Sequence, residues 1–174
     1  MSEFTYDFDP ANHLTIGTIG EPGRRTFYFQ AGRGIEYVSM ICEKEQMRSL
    51  GEGLLSLLDQ ISEAFERAVP ELESSYDFDL VEPLVPVWRI AQLGVGYDED
   101  DDQIVLILQE LSDEGEQPET ARFAIPRSLA YAFAQHTLEV ISGGRPVCPF
   151  CGEPIDPSGH FCPRSNGHGK QYVQ

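Results

Sequence analysis

The chain has 174 residues, of which 41% are hydrophobic and 24% are charged. A chain of this length and composition is expected to fold around one core and not to remain a disordered acidic polymer. Its 29 acidic residues against 12 basic ones give a net charge of −17, which repels phosphate backbones and disfavours a nucleic-acid-binding role. No stretch approaches the ~20 apolar residues of a membrane-spanning helix, and the first residues lack the basic and apolar regions of a signal peptide. We therefore expect a cytoplasmic protein without a membrane segment.

Charge and composition divide the chain into two unequal parts. Three basic and two acidic residues leave residues 143–174 with a charge of +1, so that residues 1–142 carry −18. The first part holds the long apolar segments, whereas the second is rich in Gly and Pro and contains three of the four cysteines. The sequence therefore predicts a folded body over 1–142 and a small appended module over 143–174.

The first half of the body alternates strand-like runs with turns and then changes to a helical period. Aromatic and β-branched residues dominate the runs, and Gly-containing turns at 21–23 and 32–34 favour antiparallel pairing. From about Lys44, apolar residues recur at three- and four-residue steps as far as Val69, so a long amphipathic helix closed by Pro70 is expected. The predicted strands are Phe4 to Phe8, Leu14 to Ile19, Arg25 to Ala31 and Glu36 to Cys42.

The second half repeats this order of elements. Residues 71–86 are predicted to be an irregular connection, because acids and prolines surround a few aromatic residues. Strands are then expected at 87–96, 103–111 and 121–125, followed by a helix from Pro126 to near Gly143. The sequence predicts an α+β fold, with one antiparallel sheet and two helices on one face. A duplicated βββα unit is a hypothesis, because residue identity between the halves is low.

Four features of the body admit a functional interpretation, but a structural one is favoured for each. The acidic run 98–102 lacks the ligand spacing of a calcium loop and is expected to be a solvated hairpin tip. His136 could be a general base, yet a helical histidine at the edge of an apolar face is commoner. His13 has no partner nearby in sequence. Cys42 ends an apolar strand, where a thiol behaves as a small buried hydrophobe.

The C-terminal module carries a pattern of soft metal ligands. Cys148 and Cys151 form a Cys-x-x-Cys turn followed by Gly152, and His160 and Cys162 follow after eight intervening residues. Three thiolates and one imidazole complete the tetrahedral shell that zinc prefers, and four protein ligands leave no open position for a catalytic water. The sequence therefore predicts one structural Zn²⁺ held by these four side chains.

Other interpretations of the cysteines remain open but are disfavoured. Disulfides are uncommon in a cytoplasmic protein, and a redox Cys-x-x-Cys pair normally opens a helix after a strand. His168 could replace His160 as the fourth ligand, but it lies near a terminus where chain ends fray.

Several of these segments together resemble a known family. They are Phe8-Asp9-Pro10, Gly17-Thr18-Ile19-Gly20, Gly23 to Tyr28 with Gln30-Ala31, Glu43 to Gln46, Cys148 to Gly152 and Gly159 to Gly167. Over nearly its full length the chain resembles the bacterial family called domain of unknown function 3090. The resemblance implies a full-length unit with an intrinsic tail and favours His160 over His168 as the zinc ligand. It implies no established activity.

Three functional hypotheses follow from the sequence. The first is a non-catalytic protein-interaction or scaffold protein with a protein partner, since no phosphate loop, serine nucleophile elbow or His-Glu-x-x-His motif occurs. The second is an enzyme that uses His136 with the carboxylate of Glu139 and with Arg24, Arg25 or Arg89. The third is weak nucleic-acid contact by the tail through Arg164, Lys170, Phe150 and Phe161. This hypothesis is disfavoured, because the tail has only three basic residues and is attached to an acidic body. The oligomeric state is left open.

Overall fold

The computed structural model describes residues 3–21, 23–68, 70 and 75–143, and the backbone of 160–161 and 171–172. In the tail, β8 (His160–Phe161) and β9 (Gln171–Tyr172) form a short antiparallel pair. The elements of the body are, in order, β1 (Tyr6–Phe8), β2 (His13–Ile19), β3 (Thr26–Arg33), β4 (Glu36–Cys42), α1 (Lys44–Ala64), β5 (Pro86–Asp98), β6 (Gln103–Glu110), β7 (Thr120–Pro126) and α2 (Arg127–Ile141).

The seven strands of the body form one mixed sheet in the order β1-β7-β6-β5-β4-β3-β2. The α+β class with two helices is confirmed, but the prediction of a purely antiparallel sheet is wrong at two pairs, β1 with β7 and β4 with β5. The pair β4/β5 is parallel because the chain returns through α1 and the segment after it, which is the long crossover that parallel neighbours require. The duplication of a βββα unit stays a hypothesis, since a shared order of elements does not establish it.

The sheet curls until its two ends approach each other. The rings of Phe29 on β3 and Phe123 on β7 have centroids 5.8 Å apart, whereas four strand spacings in a flat sheet would separate them by ~19 Å. The linker between β1 and β2 spans the remaining gap, because Ala11 donates its N–H to Ala124 O at 2.8 Å and Asn12 donates to Gly32 O at 2.9 Å. The concave face therefore encloses most of the apolar core.

Helix α1 forms because its apolar residues repeat on one face, and these side chains are buried: Met47, Leu50, Leu54, Leu58 and Ile61. At its start, Gln46 accepts the Glu43 N–H at 2.8 Å and donates to Ile90 O at 3.0 Å, which ties the first turn to β5. The predicted extension of this helix to Val69 is wrong, because it ends at Ala64. Glu66 adopts a left-handed conformation with φ of 52°.

Helix α2 follows Pro126 directly and ends at Ile141, and Gly143 beyond it has φ of 67°, as the Pro and Gly positions predicted. The two helices pack closely at Gly51, where an added Cβ would lie 3.1 Å from Leu138 Cδ2. Ring centroids of Phe133 and Phe29 are 6.1 Å apart, so α2 also contacts the concave face of the sheet. No helix in the part of the chain described here combines the length and apolarity needed to cross a membrane.

Residues 75–85, which we call the strap, cover the outer face of β2 and β3. The sequence predicted an irregular connection here, and the segment has no helix or strand, yet Tyr76 and Phe78 pack partly buried against the core. Leu80 occupies the space above Gly17, where an added Cβ would lie 2.6 Å from Leu80 Cδ1. The absence of a side chain at Gly17 therefore lets the strap lie flat on β2.

Candidate functional site

Gln30 is a buried polar residue that holds the strap to the sheet. Its side chain is fully buried on β3, and its amide satisfies both backbone groups of Val81. The Val81 N–H donates to Gln30 Oε1 at 2.8 Å, and Gln30 Nε2 donates to Val81 O at 2.9 Å and to Ser39 Oγ at 3.1 Å. Because these partners fix the orientation of the amide, Oε1 can only accept hydrogen bonds.

The same amide oxygen fixes the tautomer of His13. His13 Nε2 lies 3.0 Å from Gln30 Oε1, so Nε2 must carry the proton of this hydrogen bond. In the neutral imidazole, Nδ1 is then an acceptor, and it has no hydrogen bond to any residue that the structure describes. The half-buried His13 is therefore oriented by a second residue, which no pattern in the sequence indicated.

Tyr37 is held in a row with His13 across three strands. His13 on β2 pairs with Gly32 on β3, which in turn pairs with Tyr37 on β4. An added Cβ on Gly32 would lie 2.6 Å from Tyr37 Cδ1, so the tyrosine ring crosses the space that Gly32 leaves empty. The rings of Tyr37 and His13 are nearly perpendicular, with centroids 5.4 Å apart and planes at 80°. The ring is thereby fixed although 43% of Tyr37 is exposed.

His13 and Tyr37 line an open pocket of about 290 Å³ where the start of β2, the β3–β4 turn and the strap meet. Tyr76 and Asp77 of the strap complete one wall, and Leu129 of α2 another. The Tyr76 hydroxyl lies 2.9 Å from Ser128 Oγ on α2, which anchors its ring. Asp77 Oδ1 accepts the Asp79 N–H at 2.9 Å, and the residue is exposed. The pocket thus combines aromatic rings with one carboxylate.

His136, the histidine of the enzyme hypothesis, lies where α2 passes the edge strand β2. Its Nε2 is 2.8 Å from Ile16 O and 3.3 Å from Thr15 Oγ1. Its ring stacks on Phe78 with centroids 4.6 Å apart and planes at 10°. These contacts join α2, β2 and the strap, which is the structural role that the sequence favoured.

The other residues of the enzyme hypothesis lie in different surroundings. Arg89 forms an ion pair with Glu43 at 2.6 Å, next to the start of α1. Glu139 is exposed on α2, and Arg24 lies at the β2–β3 turn, where its N–H donates to Glu21 O. Within the described part of the chain, no contact brings any of them, or Arg25, to His136.

Asp102 is the centre of a second polar cluster, which the sequence did not predict. The acidic run does form the β5–β6 turn, but Asp102 points inward, where Arg127 Nε donates to Oδ1 at 2.7 Å and Arg127 Nη2 to Oδ2 at 3.2 Å. Tyr97 donates its hydroxyl to Oδ1 at 2.7 Å, and Arg67 Nη1 lies 3.5 Å from Oδ2. The hydrogen bonds from Arg127 lower the pKa of Asp102, while burial and then the Asp102 hydrogen bond raise the pKa of Tyr97. Arg67, three residues beyond the end of α1, is thereby joined to the β5–β6 turn.

Cys42 is the one cysteine within the described residues, and it behaves as predicted. It is buried, with 3% exposure, at the end of β4. Burial, and secondarily the charge of Glu43, raise its pKa to about 12. Because only the thiolate is a strong nucleophile or metal ligand, this side chain is unreactive in the folded protein.

The predicted zinc ligands lie outside the described residues. This holds for Cys148, Cys151 and Cys162, and for the side chain of His160, whose backbone belongs to β8. The alternative ligand His168 lies outside them as well. Elsewhere, within the residues that are described, no group of three or more His, Cys, Asp or Glu side chains is arranged to hold a metal ion.

The described residues define an α+β protein with a curled mixed sheet, two helices and a polar pocket beside its outer face. The family model described as protein of unknown function (DUF3090) matches residues 6–162. The chain therefore belongs to that family, and the sequence resemblance is confirmed. Neither the curated proteins nor the solved structures give a significant match to this chain.

Proposed function

We propose that this protein is a non-catalytic protein-interaction module with one structural Zn²⁺ in its C-terminal tail. The body supplies the surface that meets the partner, and Cys148, Cys151, His160 and Cys162 hold the metal. A cytoplasmic location belongs to the proposal, because cysteines remain available as zinc ligands in a reducing compartment.

The observation that carries the non-catalytic part is the engagement of His136. A general base is oriented by partner groups that complete a site around it, but His136 is held by contacts between elements, because Nε2 must donate to Ile16 O at 2.8 Å and the ring stacks on Phe78. Within the described residues, no carboxylate or arginine contacts its ring. Cys42, the buried thiol of the body, has a pKa of about 12 and is not a nucleophile near neutral pH. Both side chains stabilise contacts between elements.

The zinc part of the proposal is supported by the chemistry of the donor set in the sequence. Three thiolates and an imidazole match the structural Cys₃His class, in which four protein ligands exclude a catalytic water. The tail 143–174 has few apolar side chains, so metal binding would supply much of the free energy that orders it. Its charge of +1 is too small to support strong phosphate affinity beside the acidic body.

Metal analysis of the purified full chain tests the ligand assignment. We expect one zinc per chain, lost in Cys151→Ser and Cys162→Ser and retained in Cys42→Ser, whose thiol is buried in the body. His160→Asn should lose zinc, whereas the matched His168→Asn should retain it. Full zinc retention in Cys151→Ser, or loss in His168→Asn but not in His160→Asn, would contradict the assignment.

Crosslinked capture from native lysate at moderate salt tests the interaction. The full chain and the Cys151→Ser variant are compared in parallel, with nuclease-treated lysate as a control for nucleic acid. We expect a defined protein to be enriched reproducibly and in a fixed ratio to the full chain. Recovery of a small metabolite that the protein converts on incubation, without a protein partner, would favour the enzyme hypothesis instead.

A further inference from the structure

The pocket beside the outer face of the sheet has a chemistry that selects for positive charge. Its lining contains the carboxylate of Asp77 and the rings of Tyr37 and Tyr76, and no lysine or arginine is among the described residues that line it. Asp77 Oδ1 is occupied by the Asp79 N–H. Its other oxygen makes no hydrogen bond or ion pair to the described residues.

The pocket offers acceptors from His13 and Asp77, beside the amide of Asn12 and the hydroxyl of Ser75, which can also donate. The Gln30 amide oxygen forces the proton of His13 onto Nε2, which leaves Nδ1 of the neutral ring as a lone-pair acceptor. The carboxylate of Asp77 contributes further lone pairs. A ligand that presents several N–H donors on one positive centre matches this set, whereas a carboxylate or phosphate would face like charge without a cationic partner.

The aromatic rings add a second source of selectivity for a cation. A positive group within ~6 Å of a tyrosine ring centroid is attracted to the negative face of the ring. Both rings are held in place without a ligand. The Tyr37 ring packs over Gly32, and the Tyr76 hydroxyl contacts Ser128. Fixed rings lose little conformational entropy on binding.

Size and the wider electrostatic field narrow the ligand class. A volume of about 290 Å³ is at the lower limit of pockets for drug-sized ligands, and it suits a single side chain better than a nucleotide. Arg33 at the end of β3, the residue before the lining residue Gly34, is already engaged by Glu36 at 3.6 Å and by the Phe8 ring at 5.2 Å. The net charge of −17 attracts cationic ligands from a distance.

We propose that this pocket binds a cationic nitrogen group, the ammonium of a lysine or the guanidinium of an arginine. This rests on the proposed function insofar as a protein partner presents the group on its surface. A free small amine offers the same chemistry, and the test below distinguishes the two sources. Asp77 pairs with the charge, Tyr37 and Tyr76 face the cation, and His13 accepts one of its N–H groups.

Titration of the full metal-loaded chain, followed by NMR shifts, tests the pocket with three matched probes. These are the N-acetyl amides of lysine, arginine and norleucine, the last having a chain of similar size without charge. We expect the two cationic probes to shift resonances of His13 and Tyr37 with a Kd on the order of millimolar. Norleucine amide should shift neither. Equal binding of norleucine and lysine amides, or no saturable binding of either cationic probe, would overturn the proposal.

Two variants separate a specific pocket from general attraction to an acidic protein. Asp77→Asn keeps an oxygen for the Asp79 N–H and should weaken lysine amide binding about tenfold. Asp79→Asn removes an equal exposed charge two residues away and should leave binding unchanged. Tyr37→Leu should weaken binding roughly threefold or more by removing a ring face. Equal loss in the two Asp variants would overturn the proposal.

A comparison of the affinities of the free probes and of short peptides carrying one lysine or arginine tells whether the cation belongs to a partner protein or to a free amine. Tighter binding by the peptides identifies a partner protein, and equal binding identifies a free amine, and both outcomes support the pocket. The titration uses purified ligands and needs no captured partner. If neither cationic probe binds the pocket but a protein is captured, the interaction lies elsewhere on the chain. If the probes bind but no protein is captured, only the interaction proposal is refuted.

Discussion

Replacement of Gln30 tests whether one buried amide attaches the strap to the sheet. Gln30→Ala removes the two hydrogen bonds to the backbone of Val81 and those to Ser39 and His13. At ~1 kcal/mol net for each of these four bonds, with about one quarter regained from water at half-buried Val81, the expected loss of unfolding free energy is about 3 kcal/mol. With a urea m-value of ~2 kcal/mol/M the midpoint should fall by about 1.5 M.

Two controls isolate the cause of that loss. Gln30→Met preserves the length of the side chain and removes only the hydrogen bonds, so it should retain most of the effect. Gln60→Ala removes an exposed glutamine whose amide reaches only Ser56 Oγ, and should change stability by less than about 0.5 kcal/mol. Hydrogen exchange at the Val81 amide gives the local readout, which should accelerate in both Gln30 variants. A loss below about 1 kcal/mol with unchanged Val81 exchange would refute the reasoning.

Two further predictions concern the helices and the acidic turn. Gly53→Ala should raise the free energy of unfolding by about 1 kcal/mol, because its Cβ meets nothing within 4 Å and alanine favours the helix. Gly51→Leu on the same helix should lower it by about 2 kcal/mol by displacing Leu138, and equal thermal shifts in the two variants would contradict the described packing. Asp102→Asn should destabilise the protein at neutral pH, where the exposed Asp101→Asn does not. Because the pKa of Asp102 is lowered below its ordinary 3.8, its stabilising contribution is present above that pH and is lost as the pH falls through the lowered pKa, so in acid the gap between wild type and Asp102→Asn should close.

Most elements of the body were predictable because their signals are local. The strand boundaries depended on alternating aromatic and β-branched residues, and the start and end of α2 on Pro126 and Gly143. The parallel pairing of β4 with β5 was not predictable, because it depends on the path of a crossover some forty residues long. The end of α1 was also predicted wrongly, because the apolar period continues through Phe65. In the structure Phe65 lies beyond the helix, and its ring packs on Tyr97 with centroids 5.2 Å apart.

The candidate site was less predictable from the sequence than the fold. His13, Gly32 and Tyr37 meet only because three strands place them in one row, and the strap that completes the pocket has no regular period in sequence. In the sequence, His13 was a lone histidine and Asp102 one of several acids in a run. A glycine opposite an aromatic residue on neighbouring strands was the available signal, but it requires the register to be known first. The zinc pattern, by contrast, is readable because its ligand spacing is local, and it stays a prediction.

Counting reactive thiols most directly tests the proposal that the tail cysteines hold a structural metal while Cys42 belongs to the core. The full chain is treated with a thiol reagent near neutral pH in three states: metal-loaded, chelated, and chelated with denaturant. We predict slow labelling in the first state, rapid labelling of Cys148, Cys151 and Cys162 in the second, and labelling of Cys42 only in the third, where it loses the burial that raises its pKa to about 12. Rapid labelling of the tail cysteines before chelation in zinc-replete protein, or of Cys42 before denaturation, would contradict the account.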